Sequence, residues 1–313
     1  MSEQQQQQQQ RKESSLRTHI NGVSLDDQRF RGIDPVLRDR VHDELMYTGT
    51  KSSWEHIVGL DQVKQHLKEI ITLPILIPSL KSPSDPKCVL LFGPPGTGRN
   101  MIVQALANDI KATIFNISRK TLESGDWGCN GSTLIRAVFE VASCYSPVIV
   151  HVDDLEMIMS SGLNNEEMRR NKTELMVQLD SLKDRNEQQD DWMLVIGTTN
   201  RPQDVCSSSL KRFVQKLYVP LPESEDRYKL FQRLLPEDHE LDENDAEELV
   251  KITEGYSCTE LDSLCVEALM LPTPNTGVTM EHFKQALIRV RPCVNAAQLK
   301  SYEALDQQYN NYF

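Results

Sequence analysis

The stretch "LFGPPGTGRN", Leu91–Asn100, decides the fold. Its spacing follows G-x-x-x-x-G-K-[ST], a turn whose backbone N–H groups surround phosphates while a Lys reaches the outer phosphates and a hydroxyl meets Mg²⁺. Gly93, Pro94, Pro95, Gly96, Thr97 and Gly98 keep the turn, but Arg99 stands where Lys belongs and Asn100 where Ser or Thr belongs. An apolar run precedes the loop and a helix-periodic segment follows it, so a helix N-terminus adds to its attraction for an anion.

Four more short apolar runs alternate with helical stretches: "TIFNIS" (113–118), "VIVHVDD" (148–154), "MLVIGTTN" (193–200) and "KLYVPLP" (216–222). Helical periodicity falls in Asn100–Ile110, Ser132–Cys144 and Glu166–Leu182. Buried strands alternating with helices predict an α/β fold with a parallel sheet covered on both faces, and a ligand at the carboxyl ends of its strands. After Pro222 the strand signals stop. Helices are expected over Ser224–Leu235, Asn244–Thr253, Thr259–Leu269, Thr279–Val290 and Ala296–Gln308. The expected organisation is a Gln-rich disordered tail over 1–33 (alternatively a partner-binding segment), a linker helix within 34–52, an α/β nucleotide-binding domain over 53–222 and a small helical domain over 223–313.

The chain has 313 residues with 34 basic and 46 acidic side chains, a net charge of −12. That balance disfavours a nucleic-acid face, which needs clustered positive charge. Seven cysteines without a C-x-x-C pair read as reduced packing residues. No apolar run approaches the ~18 residues of a membrane span and the N-terminus has no apolar core, so a cytoplasmic placement is expected, with nuclear or cytoskeleton-associated placements as alternatives.

Four features fall where a nucleotide site needs them, one being "GYSCTELDSLCVEA", a turn into a helix at the head of the second domain. "VIVHVDD" ends in two carboxylates: Asp153 suits the Mg²⁺ side and Asp154 the orientation of an attacking water. "VIGTTN" ends in Asn200, an amide able to position water or the terminal phosphate. "SSLKRF" carries Lys211 and Arg212, which either reach a phosphate or are solvated surface cations.

With these residues in place, the chain resembles the AAA ATPases, and within them the microtubule-severing group of fidgetin, spastin and katanin. The segments "SSWEHIVGLDQVKQHLKEIITLPILIP", "RRNKTELMVQLD", "GTTNRPQDV" and "KLYVPLPESEDR" carry the likeness, and "VTMEHFKQALIRVRPCVNAAQLKSYEALDQQY" is most similar to fidgetin-like members. The resemblance implies a large α/β domain, a helical lid, ATP and Mg²⁺ between them, and a hexameric ring of identical or mixed subunits that threads a polypeptide, with tubulin or microtubules as substrate. It further implies that Ile57, Val58 and Gly59 border the adenine, that Gly93–Asn100 wrap the phosphates, and that Asp153 serves the metal together with the residue at Asn100. Asp154 is then the catalytic carboxylate, Asn200 the sensor, and Lys211 and Arg212 the fingers reaching a neighbour's phosphate. Trp127 is the pore aromatic, its alternative being a packing residue.

Several positions depart from that group. Arg99 exchanges a compact ammonium for a planar guanidinium, which is not conservative at a close phosphate contact. Asn100 offers an amide for a hydroxyl, so magnesium is expected to be held more loosely. Asp154 replaces Glu and withdraws the carboxylate by about 1.5 Å, a displacement that slows hydrolysis. Lys211 replaces an arginine, Asp126 a basic residue beside Trp127, Cys129 a glycine, Asn130 an acid and Cys258 a glycine near the adenine edge. Two readings follow: an AAA ATPase with attenuated hydrolysis, or an inactive ring subunit or adaptor.

Overall fold

In the computed structural model, residues 19–20, 23–24, 33–49, 52–80, 82, 87–123, 127–162, 165–188, 192–236, 239–271 and 277–310 are described. The Gln-rich tail and Asp126 lie outside the described residues. So does most of 1–33, apart from the two-stranded backbone pairing of β1 (His19–Ile20) with β2 (Val23–Ser24).

Continuous apolar runs make central strands because both faces of each residue row can be covered. β4 (Cys88–Phe92), β6 (Val148–Val152) and β7 (Met193–Thr199) are buried at every position. With β5 (Thr113–Ile117) and β8 (Gln215–Tyr218) they form a parallel sheet in the order β5-β6-β7-β4-β8. The run expected over 216–222 stops at Tyr218, since Pro220 and Pro222 have no N–H for a ladder. The linker helix expected within 34–52 is a shorter element: α1 (Pro35–Arg40) passes into a wider turn (Val41–Leu45), then β3 (Met46–Tyr47) pairs antiparallel with β5.

Alternation along each strand sends successive residues to opposite faces. Leu90, Val150, Val152 and Val195 join one cluster, while Val89, Leu91, Ile149, Leu194 and Ile196 join the other. The lead-in adds α2 (Asp61–Leu67) and α3 (Leu73–Leu76) to the second cluster's face, where α4 (Arg99–Asp109) also packs. The first face is covered by α6 (Gly131–Ala142) and α8 (Glu166–Gln188), with the short α5 (Arg119–Glu123) and α7 (Leu155–Met159) at its border. The short α9 (Ser207–Leu210) leads into β8. Helices α10 (Ser224–Leu234), α11 (Glu243–Ile252), α12 (Cys258–Leu269) and α13 (Met280–Arg289) share a third core around Phe231, Leu249, Leu264 and Phe283. α14 (Ala296–Asn310) returns to the sheet and lies against β8.

Register places three strand ends side by side: Phe92 pairs with Thr199, and Val152 with Gly197. The residues that follow them, Gly93, Asp153 and Asn200, therefore emerge at one edge of the sheet.

Candidate nucleotide site

The loop between β4 and α4 keeps its turn by close backbone approach. A Cβ on Gly93 would lie 2.3 Å from the carbonyl oxygen of Val219, and one on Gly96, which adopts φ +77°, would lie 2.6 Å from Ser257 Oγ. Only glycine meets both demands. Thr97 Oγ1 donates to Pro94 O at 3.0 Å, bracing the turn from inside.

Arg99 folds back over this loop. Its Nη1 donates to Gly93 O at 2.5 Å and to Pro94 O at 2.7 Å, and its Nη2 donates to Asn200 Oδ1. Nε is buried without a hydrogen-bond partner. Burial lowers the pKa of this guanidinium, while Tyr302, Asp153, Glu156 and Asp154 work against that fall. Three neutral oxygens thus hold a cation whose anionic neighbours stand further off.

Asp153 accepts three hydrogen bonds: from Thr198 Oγ1 at 2.6 Å, Asp154 N at 3.1 Å and Asn100 Nδ2 at 3.2 Å. Behind it, His151 is buried and its Nε2 lies 3.2 Å from Thr198 Oγ1. Because the Thr198 proton goes to Asp153, the imidazole Nε2–H is the donor in that contact. Burial drops the His151 pKa to about 4, so the ring is neutral at pH 7. Asp154 adopts φ +50°, a left-handed backbone that Asp tolerates better than most residues. Burial, then the charge of Asp153, raises its pKa, with Arg99 and Arg119 opposing. Asn200 Nδ2 approaches Asp154 Oδ1 at 3.4 Å.

The structure thus brings Gly93–Asn100, Asp153, Asp154 and Asn200 together. Of Ile57–Gly59, Ile57 shares a core cluster with Ile102 and Val103 of α4, while its main chain and Gly59 are held by α2 and α10. Lys64 Nζ donates to Ile57 O at 2.7 Å, and a Cβ on Gly59 would meet the Asp226 carboxylate at 2.1 Å. Thr259 N, at the start of α12, donates to Gly96 O at 3.2 Å. Beside it, burial pushes the Cys258 thiol up to about 11, so it stays neutral.

Lys211, Arg212 and Trp127 lie apart from this cluster. Lys211 is exposed, whereas Arg212 makes a two-pronged ion pair with Asp180 of α8 at 2.8 and 2.6 Å and donates to Ser208 O at 2.7 Å. Trp127 is 8% exposed, packs in the first core cluster and carries the Arg40 guanidinium 4.6 Å above its ring. In the single chain its position is that of a packing residue. Two neighbours of the site escaped the sequence reading. Glu156 is buried and accepts from Thr199 Oγ1 at 2.5 Å, and its only signal was a third acid following "DD". Tyr302 donates to Asn200 O at 2.5 Å, and a separation of about a hundred residues hid it.

The family model of the ATPases associated with various cellular activities (AAA) matches residues 89–221. The crystal structure of the FIGL-1 AAA domain superposes with a TM-score of 0.80 at 34% identity, covering 91% of this chain and 98% of that one. The chain belongs to the AAA ATPase family. The same FIGL-1 domain in complex with ADP gives a TM-score of 0.78 at 34% identity, over 89% of this AAA chain and 98% of the other. A katanin structure describing self-assembly gives 0.71 at 26% identity, over 91% and 98%. Among curated proteins, Fidgetin-like protein 1 of Caenorhabditis briggsae is 36% identical over 90% of this chain and 52% of its own length. The chain spans about half the length of the curated relatives it matches.

An AAA site implies a magnesium ion beside the phosphates, and the pair named for it does not fit one as arranged. Both Asp153 oxygens already accept hydrogen bonds, and Asn100 turns an N–H rather than an oxygen toward them. Magnesium needs near-ideal octahedral oxygen donors. Among the described residues no group of three or more His, Cys, Asp or Glu could hold a metal ion. No described helix is long and apolar enough to cross a membrane.

Proposed function

We propose that this chain is a nucleotide-binding AAA ATPase subunit of fidgetin-like type with attenuated ATP hydrolysis, acting in a ring on a polypeptide of the tubulin class. The observation that carries this reading is the convergence of the Gly93–Gly98 turn, Asp154 and Asn200 at adjacent strand ends. The loop and the start of α4 cradle the phosphates, and Ile57, Val58 and Gly59 border the base. Arg99, already poised over the loop on neutral oxygens, exchanges them for phosphate oxygens, a stronger charge-assisted contact. Asp154 orients the attacking water and Asn200 the terminal phosphate. Lys211 and Arg212 face the neighbouring subunit's site, which requires Arg212 to leave Asp180. No step here depends on magnesium, which Asp153 and Asn100 do not fit as arranged.

Turnover by the purified chain against its Asp154→Ala variant tests the reading. A measurable rate abolished by the variant is expected, and equal rates would sink hydrolysis.

A second reading, an inactive ring subunit, is favoured by the Arg99–Asn200 contact, which occupies the sensor amide with the loop's own side chain. Such a subunit would still supply Arg212 to a competent neighbour. Mixing it with an active relative should change ring turnover in a way that Arg212→Ala abolishes. Unchanged turnover on mixing counts against this reading.

A further inference from the structure

The residues that close the site come from opposite ends of the chain. α14 is the last helix described, yet it lies against the edge strand β8 rather than among the other helices. An aromatic row fixes it there. Tyr302 stacks on Tyr218 with centroids 6.1 Å apart and planes 16° apart, and Tyr218 meets Phe92 at 5.6 Å. Phe92 meets Tyr309 edge-on at 5.4 Å, and Lys216 sits 5.3 Å from the Tyr309 ring. Phe92 is the residue immediately before the phosphate loop, so the row runs from α14 to the base of the cradle.

Stacking alone would dock the helix, but Tyr302 does more than stack. Its hydroxyl donates to the main-chain oxygen of Asn200 at 2.5 Å. Asn200 is thereby held at three points: its carbonyl by Tyr302, its Oδ1 by Arg99, and its Nδ2 near Asp154 Oδ1 at 3.4 Å. Asn200 follows β7 directly, where the ladder no longer constrains the backbone. Arg201 N donates to Thr199 Oγ1 at 3.0 Å across this residue, and the Tyr302 contact holds the carbonyl of Asn200 itself, whose side chain faces both Arg99 and Asp154.

We propose that Tyr302 is a positioning residue for the nucleotide, fixing through the Asn200 carbonyl the angle at which the Asn200 amide meets the terminal phosphate. This rests on the reading of the cradle as a nucleotide site. Tyr302 touches no reacting group; its hydrogen bond reaches the site through Asn200, and its charge interaction with Arg99 adds a second, weaker route. Losing its hydroxyl while keeping the ring leaves α14 docked and lets the Asn200 amide swing. The cost falls on the phosphate that Asn200 faces and spares the base and the inner phosphates.

The test uses Tyr302→Phe in the full chain, with titrations of a non-hydrolysable ATP analogue and of ADP. One neutral hydrogen bond lost at the site predicts an analogue affinity about three- to tenfold weaker. ADP affinity should stay within about twofold, as for an inner-phosphate ligand that does not reach the sensor. In an Asn200→Ala background the same substitution should have no further effect on the analogue-to-ADP ratio, because the amide it positions is gone. A parallel loss for both nucleotides, an unchanged ratio, or full additivity with Asn200→Ala would each overturn the proposal. If the unsubstituted chain binds neither nucleotide, the reading of the cradle itself fails and the positioning role falls with it. Nucleotide binding with no change in ratio sinks only the role of Tyr302.

Discussion

Two arginines of this chain are held in opposite ways. Arg99 is half-buried and clasped by neutral oxygens of Gly93, Pro94 and Asn200, and burial lowers its pKa. Arg212 lies nearer the solvent, its charge already matched by Asp180, and that hydrogen bond raises its pKa. The first is a cation short of an anion. The second has one and must give it up to act elsewhere. The difference teaches which of the two can turn to phosphate without breaking an ion pair: the non-standard Arg99, although it departs most visibly from the phosphate-loop pattern.

The largest way to sharpen this contrast is to remove each arginine in turn. Arg99→Ala should weaken nucleotide binding by about 10- to 100-fold, the worth of a charge-assisted contact. Arg212→Ala should leave the isolated chain's affinity within about twofold, since its contacts lie elsewhere. Fluorescent-nucleotide titration reads both, and equal losses would erase the distinction.

Chelating magnesium probes the same charge. With Arg99 over the loop and Asp153 already hydrogen-bonded, EDTA is expected to lower affinity by less than about tenfold. A larger fall would show that Asn100 and Asp153 rearrange to accept the ion.

His151 extends the comparison to a base kept neutral by burial. Its folded pKa of about 4 lies below the unfolded value near 6.5, so between those limits the unfolded chain takes up more protons. Stability is therefore complete above pH 6.5 and falls as pH drops toward 4. His151→Gln should flatten that part of a urea-denaturation series against pH, and an unchanged slope would contradict it.

The smallest effect is expected at the exposed pair. Asp180→Ala should cost under about 1 kcal/mol of stability, as surface ion pairs do. In a mixed ring it should raise the neighbour's turnover by freeing Arg212. Loss of turnover would instead make Asp180 a support for the finger.

The central sheet was legible because "VIVHV" and "MLVIGTT" are buried on both faces and so are apolar throughout. Gly93, Asp153, Asp154 and Asn200 were legible because strand ends of a parallel sheet converge. What escaped depended on side chains choosing partners across distance. Nothing in "GTGRN" says that a guanidinium will turn back onto Gly93 and Pro94, nor in "SYEALDQQY" that Tyr302 reaches Asn200. Met46–Tyr47 escaped for another reason, since a two-residue strand has no periodicity to read. Trp127 was left open between gripping and packing, and burial beneath Arg40 distinguishes those only once Val41, Leu45 and α6 are in place around it.

The margins of the sheet have one more consequence. On one side β3 offers only two residues beyond β5, and on the other α14 lies over β8 with Tyr302 and Tyr309 against it. A strand edge is a template on which another chain can crystallise its own backbone, and short or covered edges deny it. Copies of this molecule are thus steered away from open-ended fibre growth through the margins of this sheet.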